Sequence, residues 1–485
     1  MKTYLGLLLS LPLFLSASPA ALAAATPEEA ARIVSAFQAY LGSEAGVVKV
    51  EIDGDDYTAT IDIAPLVAKS AQPNSTFTMT PLVLTLTSKG DGKWDVSQDS
   101  PFALNIKADT ALTADLKIES YKWDGEFDEK LVTFTEATGE MTNLTLTENV
   151  NDPTQGKTDI NVSVKNVKIE QSAEANANGG ADATATYTLE GLSETFATPG
   201  SAGGQYPPMN IVFTAASGTY ETAVTGVKSK SVLDIVAFMV AHSSKELIIK
   251  DQAILKTMLT AVLPIFENAT GTSTFKTIAI QSPVGPIGMD SLTVSVDMNG
   301  VVKEGSARES ISVAGLSIPA AIVPPWATTL VPKDMTFDFA GSGFDLETPA
   351  HMILAALDLA KDPPLPAGFE NTLVPTLLPT GSGTITLNPT SVSNDLYSIN
   401  AEGSMTAGPA ALPSGKATVT AKGLDEIMKV IQAAPPEAGL QSGVGMIVAA
   451  KGMAKPEADG TLKWDIESNG DGKVLINGLD PMKMQ

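Results

Sequence analysis

The chain has 485 residues, no cysteine, aromatic residues at 6%, and 55 acidic against 31 basic residues, for a formal net charge of −24. That acidity excludes nucleic acid as a partner, since neutralising phosphates takes clustered Lys and Arg, and it disfavours anionic lipid bound through basic amphipathic helices. Without cysteine there is no disulfide framework, no thiol chemistry and no attachment point for a bacterial lipoprotein anchor.

Residues 1–25 read as a signal peptide. Lys2 supplies the positive start, Leu5 to Phe14 the apolar run, and Ala21-Leu22-Ala23 the small-residue cleavage motif, so cleavage is expected after Ala23 or Ala25. The remaining chain is expected to act in the periplasm. Its length suits one large β-rich domain or two ordinary ones. The patterning divides it into an N-terminal β-rich half, 26–205, and a C-terminal α+β half, 206–485.

The first predicted element is a helix. Thr26 and Glu29 form a capping box around Pro27, and Ile33, Val34, Phe37, Tyr40 and Leu41 recur at helical spacing. The period then changes to two. Val48, Val50 and Ile52, the turn Gly54-Asp55-Asp56, and Tyr57, Ala59, Ile61 and Ile63 predict a β-hairpin with one buried face. Alternation continues through Leu82 to Thr87, Leu112 to Ile118, Leu131 to Thr135, Leu144 to Thr147, Ile160 to Ile169 and Thr186 to Leu189. Strands with one apolar face and one Thr, Lys and Asp face predict a large twisted antiparallel sheet or meander, wet on one side. Ala175 to Ala185 and Pro199 to Pro208 read as long turns or a hinge.

Helices enter in the second half. One opens at Ser231 and runs to about Ala241, and Ile254, Leu255, Met258, Leu259, Val262, Leu263 and Phe266 mark another. Two more are predicted from Pro349 to Ala360 and from Leu424 to Ala434, as peripheral amphipathic helices docked on the sheet. Ser310 to Pro332 carries no charge, but Pro319, Pro324 and Pro325 rule out a spanning helix, so no stable membrane span is expected after signal cleavage. The scarcity of aromatic residues argues against an outer-membrane barrel, which needs two aromatic girdles. A strand, glycine and helix unit recurs at 336–345 and 418–425, with a looser copy at 211–218, which suggests two similar halves.

No catalytic, cofactor or metal constellation emerges. His242 ends a helix and His351 sits in a first turn, with no ligand spacing around either. Ser342 and Ser382 lie in Gly-Ser-Gly without the outer glycines of a nucleophile elbow, and both read as turn serines. Gly156-Lys157-Thr158 lacks the first glycine of a phosphate loop. The carboxylate pairs Asp55 with Asp56, Asp91 with Asp95, and Asp465 with Asp471 read as solvated turn residues. Trp94, Trp123 and Trp464 each stand in Lys-Trp-Asp and are expected to pack inward; Trp326, behind Pro324-Pro325, is the candidate aromatic for a pocket mouth.

The C-terminal stretch carries a resemblance. Gly423-Leu424-Asp425, then Ala449-Ala450-Lys451-Gly452, Asp459-Gly460-Thr461-Leu462-Lys463-Trp464 and Asp471 to Gly478 together resemble the closing segment of an uncharacterised family of Gram-negative periplasmic proteins, domain of unknown function 2125. The family has no matched catalytic residues to carry over. More distantly the layout resembles AsmA-like proteins, which implies a long sheet with an apolar groove and a link to lipids. The leading expectation is a non-enzymatic exported protein binding an apolar or lipid-like ligand on its sheet. A structural or envelope-assembly protein pairing with other proteins through sheet edges is the alternative, and a hydrolase the third.

Overall fold

The computed structural model describes residues 24–70, 74–109, 111–152, 156–200, 208–409 and 411–481. Most of the expected signal peptide, and 201–207 of the expected Pro199 to Pro208 loop, lie outside them. The fold is mainly β, with a few helices, as the alternation predicts. It divides into two compact units, Met1–Ala269 with Ile353–Leu365, and Thr270–Met352 with Pro366–Gln485.

The first unit opens on helix α1 (Pro27–Leu41). Only half of the expected capping box forms. The Thr26 hydroxyl accepts from the Glu29 amide, but the Glu29 carboxylate turns to Arg32, and the Thr26 amide donates instead to the Tyr57 hydroxyl at 2.8 Å. A guanidinium one turn along outcompetes a backbone amide for the carboxylate, because a charge-assisted pair is the stronger bond. Beyond α1 come the hairpin β1 (Val48–Asp53) and β2 (Asp56–Ile61), helix α2 (Ala64–Ser70), β3 (Ser75–Met79), β4 (Leu82–Gly90) and β5 (Lys93–Ala108). Long strands follow: β6 (Leu112–Asp128), β7 (Thr133–Asp152), β8 (Gly156–Ala175), β9 (Ala181–Thr198) and β10 (Met209–Val227).

Pairing runs in series and antiparallel from β1 through β2, β4 and β5 to β10, with β3 beside the distal half of β5. Ala175 to Ala185 is not a long turn, because Ala175 pairs directly with Ala181, and Gly179 and Gly180 supply the positive φ angles of a tight reversal. The core sits at the N-terminal end, where Ile33 and Phe37 of α1 pack with Tyr57, Ala59, Ile61, Leu86, Trp94, Val96 and Phe127. Helices α3 (Ser229–Ala241), α4 (Lys245–Lys250) and α5 (Gln252–Val262) complete the unit.

A line of irregular pairing crosses five strands of this sheet. Ordinary partners are missing around Glu119 in β6, Asn143 in β7, Lys165 in β8, Gly191 in β9 and Ala216 in β10. Asn143 and Gly191 hold positive φ angles, and the register of the strands is the same on both sides of the line. Each irregularity switches the parity of the strand while keeping its apolar side chains on one face. Ile118, Leu144 and Val164 lie before the line, Met141, Val167 and Leu189 after it.

The second unit is a serial sheet of the same kind. Its strands are β11 (Asn268–Ser282), β12 (Gly285–Asn299), β13 (Gly305–Ala314), β14 (Asp334–Phe344), β15 (Gly383–Ser393), β16 (Ser398–Gly408), β17 (Ala411–Lys422) and β19 (Leu462–Asn469), with short β18 (Lys455–Pro456) and β20 (Val474–Ile476) against β19. Helices α6 (Glu347–Ala356), α7 (Glu370–Leu377), α8 (Leu424–Gln432) and α9 (Gln441–Met453) interrupt the strands, and α6 ends four residues short of the expected Ala360. The uncharged Ser310 to Pro332 stretch is the end of β13, a coil and a short 3₁₀ turn, Pro325–Leu330. Among the described residues no helix is long and apolar enough to cross a membrane.

The recurring strand, glycine and helix unit has a physical basis. β14 and β17 each carry a left-handed glycine at or just beyond their end, Gly343 and Gly423, before α6 and α8; in the looser copy Gly218 lies inside β10 opposite Leu189, and the left-handed glycine before α3 is Gly226 instead. The need is strictest at Gly423, where a Cβ would lie 2.1 Å from the Leu396 carbonyl oxygen.

Candidate functional site, an open apolar sheet face

The second sheet is amphipathic across its width. Cross-strand registers place Leu292, Val294 and Val296 of β12, Val313 and Ile311 of β13, Met335, Phe337 and Phe339 of β14, Leu387 and Ile385 of β15, and Met405 of β16 on one face. The opposite face carries hydroxyl pairs that bridge strands, Ser312 with Thr336 at 3.1 Å and Thr384 with Thr406 at 3.3 Å. On that polar face the Arg308 guanidinium clasps Asp338, and Asn388 donates to the same carboxylate at 2.7 Å. The Arg308 bond holds the Asp338 carboxyl below the usual carboxylate range.

The apolar face is covered at one end and open in the middle. Near the C-terminal end Trp464 is buried, and its indole N–H donates to the Ala450 carbonyl of α9 at 2.8 Å. Farther along, Ile311 is 38% exposed, Phe337 40%, Phe339 50%, Ile385 54% and Met405 41%. These side chains are neighbours by register: Ile311 faces Phe337, Phe339 faces Leu387, and Ile385 faces Met405. At roughly 200 Å² per large side chain, the five leave on the order of 450 Å² of contiguous apolar surface in water, the size of the largest patch on a typical single chain, which is often functional.

One charged side chain interrupts this face. Glu309 stands between Val296 and Phe339, and among the residues paired in these registers it is the only charged one on the apolar side. Its neighbour Arg308 points to the other face, onto Asp338.

Other polar clusters are structural in geometry. His242 ends α3, with Nδ1 2.7 Å from the Phe238 carbonyl and Nε2 3.0 Å from Asp251, and its ring stacks on Phe238. It pins the corner between α3 and α5, while His351 lies in α6 of the other unit. Among the described residues no group of three or more His, Asp or Glu is placed to hold a metal ion. Ser342 is a strand residue opposite Ser306 and Thr384, not a turn serine, because β14 continues past it to Phe344. Asp91 and Asp471 occupy turns, but Asp95 and Asp465 lie within strands and pair with lysines.

Trp94 and Trp464 pack inward, and Trp123 is half-buried edge-on to Phe134. Trp326 is half-buried on the 3₁₀ turn that packs against α8. A cavity of about 300 Å³ lies next to α8, lined by Ile431, Gln432, Ala434, Pro435, Leu440 and Val444, without Trp326. At the edge of the first sheet, β1 carries Lys49, Glu51 and Asp53, charges that discourage a further strand.

Ile311, Phe337, Phe339, Ile385, Met405 and Glu309 were not singled out by motif reasoning. Their signal was the alternation Thr336-Phe337-Asp338-Phe339, which marks an apolar strand face but not whether anything covers it. No family model, curated protein or solved structure matches the chain.

Proposed function

We propose that this is an exported, non-enzymatic protein that binds an apolar or lipid-like ligand on the open face of β13 to β16. The observation that carries the reading is the set of exposed side chains Ile311, Phe337, Phe339, Ile385 and Met405, brought together by strand register. Covering them would remove several hundred Å² of apolar surface from water, at about 25 cal/mol per Å² before ordering costs. The signal-like segment 1–25 and the C-terminal resemblance to a Gram-negative periplasmic family support a periplasmic setting for this binding.

The test is direct. Protein purified from its own periplasm is extracted and examined by mass spectrometry for co-purifying lipid, alongside Phe339→Ser and Ile385→Ser variants. Lipid in the native protein that is lost in both variants supports the reading. Equal lipid in all three, or none in any together with no uptake of an added alkyl chain, overturns it.

A further inference from the structure

We infer that the ligand of this face is an amphiphile with a cationic or amine head, and that Glu309 is the residue selecting it; the inference rests on the apolar-ligand reading. Glu309 is exposed, stands directly across from Phe339 on one side and Val296 on the other, and is the single charge in the paired registers of this face. In the free protein water solvates its carboxylate. An alkyl chain lying over Phe337, Phe339 and Ile385 strips part of that water, and an ionised carboxylate left without a partner in apolar surroundings is strongly unfavourable.

A head group that donates hydrogen bonds and carries positive charge offsets this loss, whereas an anionic head adds repulsion to it. The formal charge of −24 biases the long-range field the same way. The geometry allows one molecule to satisfy both parts of the site. Glu309 sits on β13, and the apolar residues continue over β14, β15 and β16 to Met405. Three strand spacings of about 4.8 Å give about 14 Å, the reach of a mid-length alkyl chain.

Three probes of equal chain length separate head from tail: dodecylamine, dodecanol and dodecanoate, each titrated below its aggregation threshold at neutral pH into the full-length protein. Dodecylamine is expected to bind about tenfold more tightly than dodecanoate, the scale of one charge pair shielded from water. Glu309→Gln should erase most of that difference and leave dodecanol binding unchanged, while Glu402→Gln, an exposed carboxylate on the opposite face, should leave all three unchanged. Dodecanoate binding as tightly as dodecylamine, or a preference that survives Glu309→Gln, overturns the inference while sparing the apolar-ligand reading. Failure of all three probes to bind overturns both.

Discussion

Arg32 of α1 and Glu129, 97 residues apart in the chain, meet at 2.9 Å inside the first unit, with the Trp94 indole N–H donating to the same Glu129 oxygen at 2.7 Å. The Glu129 side chain is 1% exposed, and its second oxygen has no hydrogen-bond partner. Arg32 also lies over the Trp94 ring, 5.9 Å from its centroid. Removing one partner of such a pair leaves a buried charge uncompensated, which costs about 3–5 kcal/mol. Arg32→Met is therefore expected to lower the urea unfolding free energy by about that amount, and Arg32→Met with Glu129→Leu by clearly less. Equal losses in the single and double variants would show that packing, not charge, dominates the cluster.

Two carboxylates three residues apart, Glu126 near the end of β6 and Glu129 in the turn after it, should pull stability in opposite directions with pH. The Lys89 and Lys93 ammonium groups hold Glu126 down to about 2, whereas burial pushes Glu129 above its ordinary 4.5. A depressed carboxyl contributes stability that is present above 4.5 and lost as pH falls through about 2; a raised one makes stability fall as pH climbs from 4.5 through its folded value. Glu129→Gln is thus expected to flatten the decline in stability between mildly acidic and neutral pH. Glu126→Gln should weaken the protein at neutral pH but not at pH 2, and salt should shrink that effect because its lysines are exposed. Urea titrations across this range, with and without added salt, give both slopes.

The sheet class, the first hairpin and most helix positions were legible because each has a period. The long strands of the first unit were read as short runs, and the parity switch explains why. The run Leu112 to Ile118 stops at Glu119, Leu144 begins just after Asn143, and Thr186 to Leu189 stops just before Gly191, so these three runs are bounded where their strands are irregular, while the run Ile160 to Ile169 passes through the irregular Lys165. A two-residue period cannot be followed through a residue that drops out of the alternation in each strand. The open apolar face stayed invisible for a different reason. Phe337 and Phe339 have the same local pattern as a buried strand, and only the absence of a covering layer distinguishes them.

Asn143 tests the irregular line. Its φ of 51° is left-handed, and its side-chain amide donates to Glu119 on the neighbouring strand. Asn143→Gly keeps the backbone at ease and should change stability by no more than about 0.5 kcal/mol. Asn143→Val introduces a β-branched residue where it is disfavoured by about 1–2 kcal/mol. Chemical denaturation of both variants gives the comparison; equal costs would mean that the hydrogen bond to Glu119, rather than the backbone angle, fixes the residue.

Two left-handed glycines separate strain from collision. Gly423 has φ 78° and no room for a Cβ beside Leu396, while Gly460 has φ 83° and nothing within 4 Å of that position. Gly460→Ala should cost about 1 kcal/mol, the backbone penalty alone. Gly423→Ala should cost about 3 kcal/mol or more, since β17 and α8 must move apart from the 396–397 turn. Thermal unfolding followed by circular dichroism resolves a difference of that size.

Phe339 and Phe127 are chemically identical but should lose very different amounts of stability on truncation. Phe127 is fully buried in the first core, so Phe127→Ala removes packing on every side and is expected to cost about 3–5 kcal/mol. Phe339 is half-exposed, so Phe339→Ser gives up only its remaining contacts, about 1 kcal/mol, and removes apolar area from the surface. If the open face exists to be covered, Phe339→Ser should keep the unfolding midpoint nearly unchanged while binding of an apolar fluorescent dye to the folded protein drops severalfold. A large loss of stability in Phe339→Ser would instead mean that the face is packed in solution, because an exposed ring contributes little to folding that a serine cannot replace.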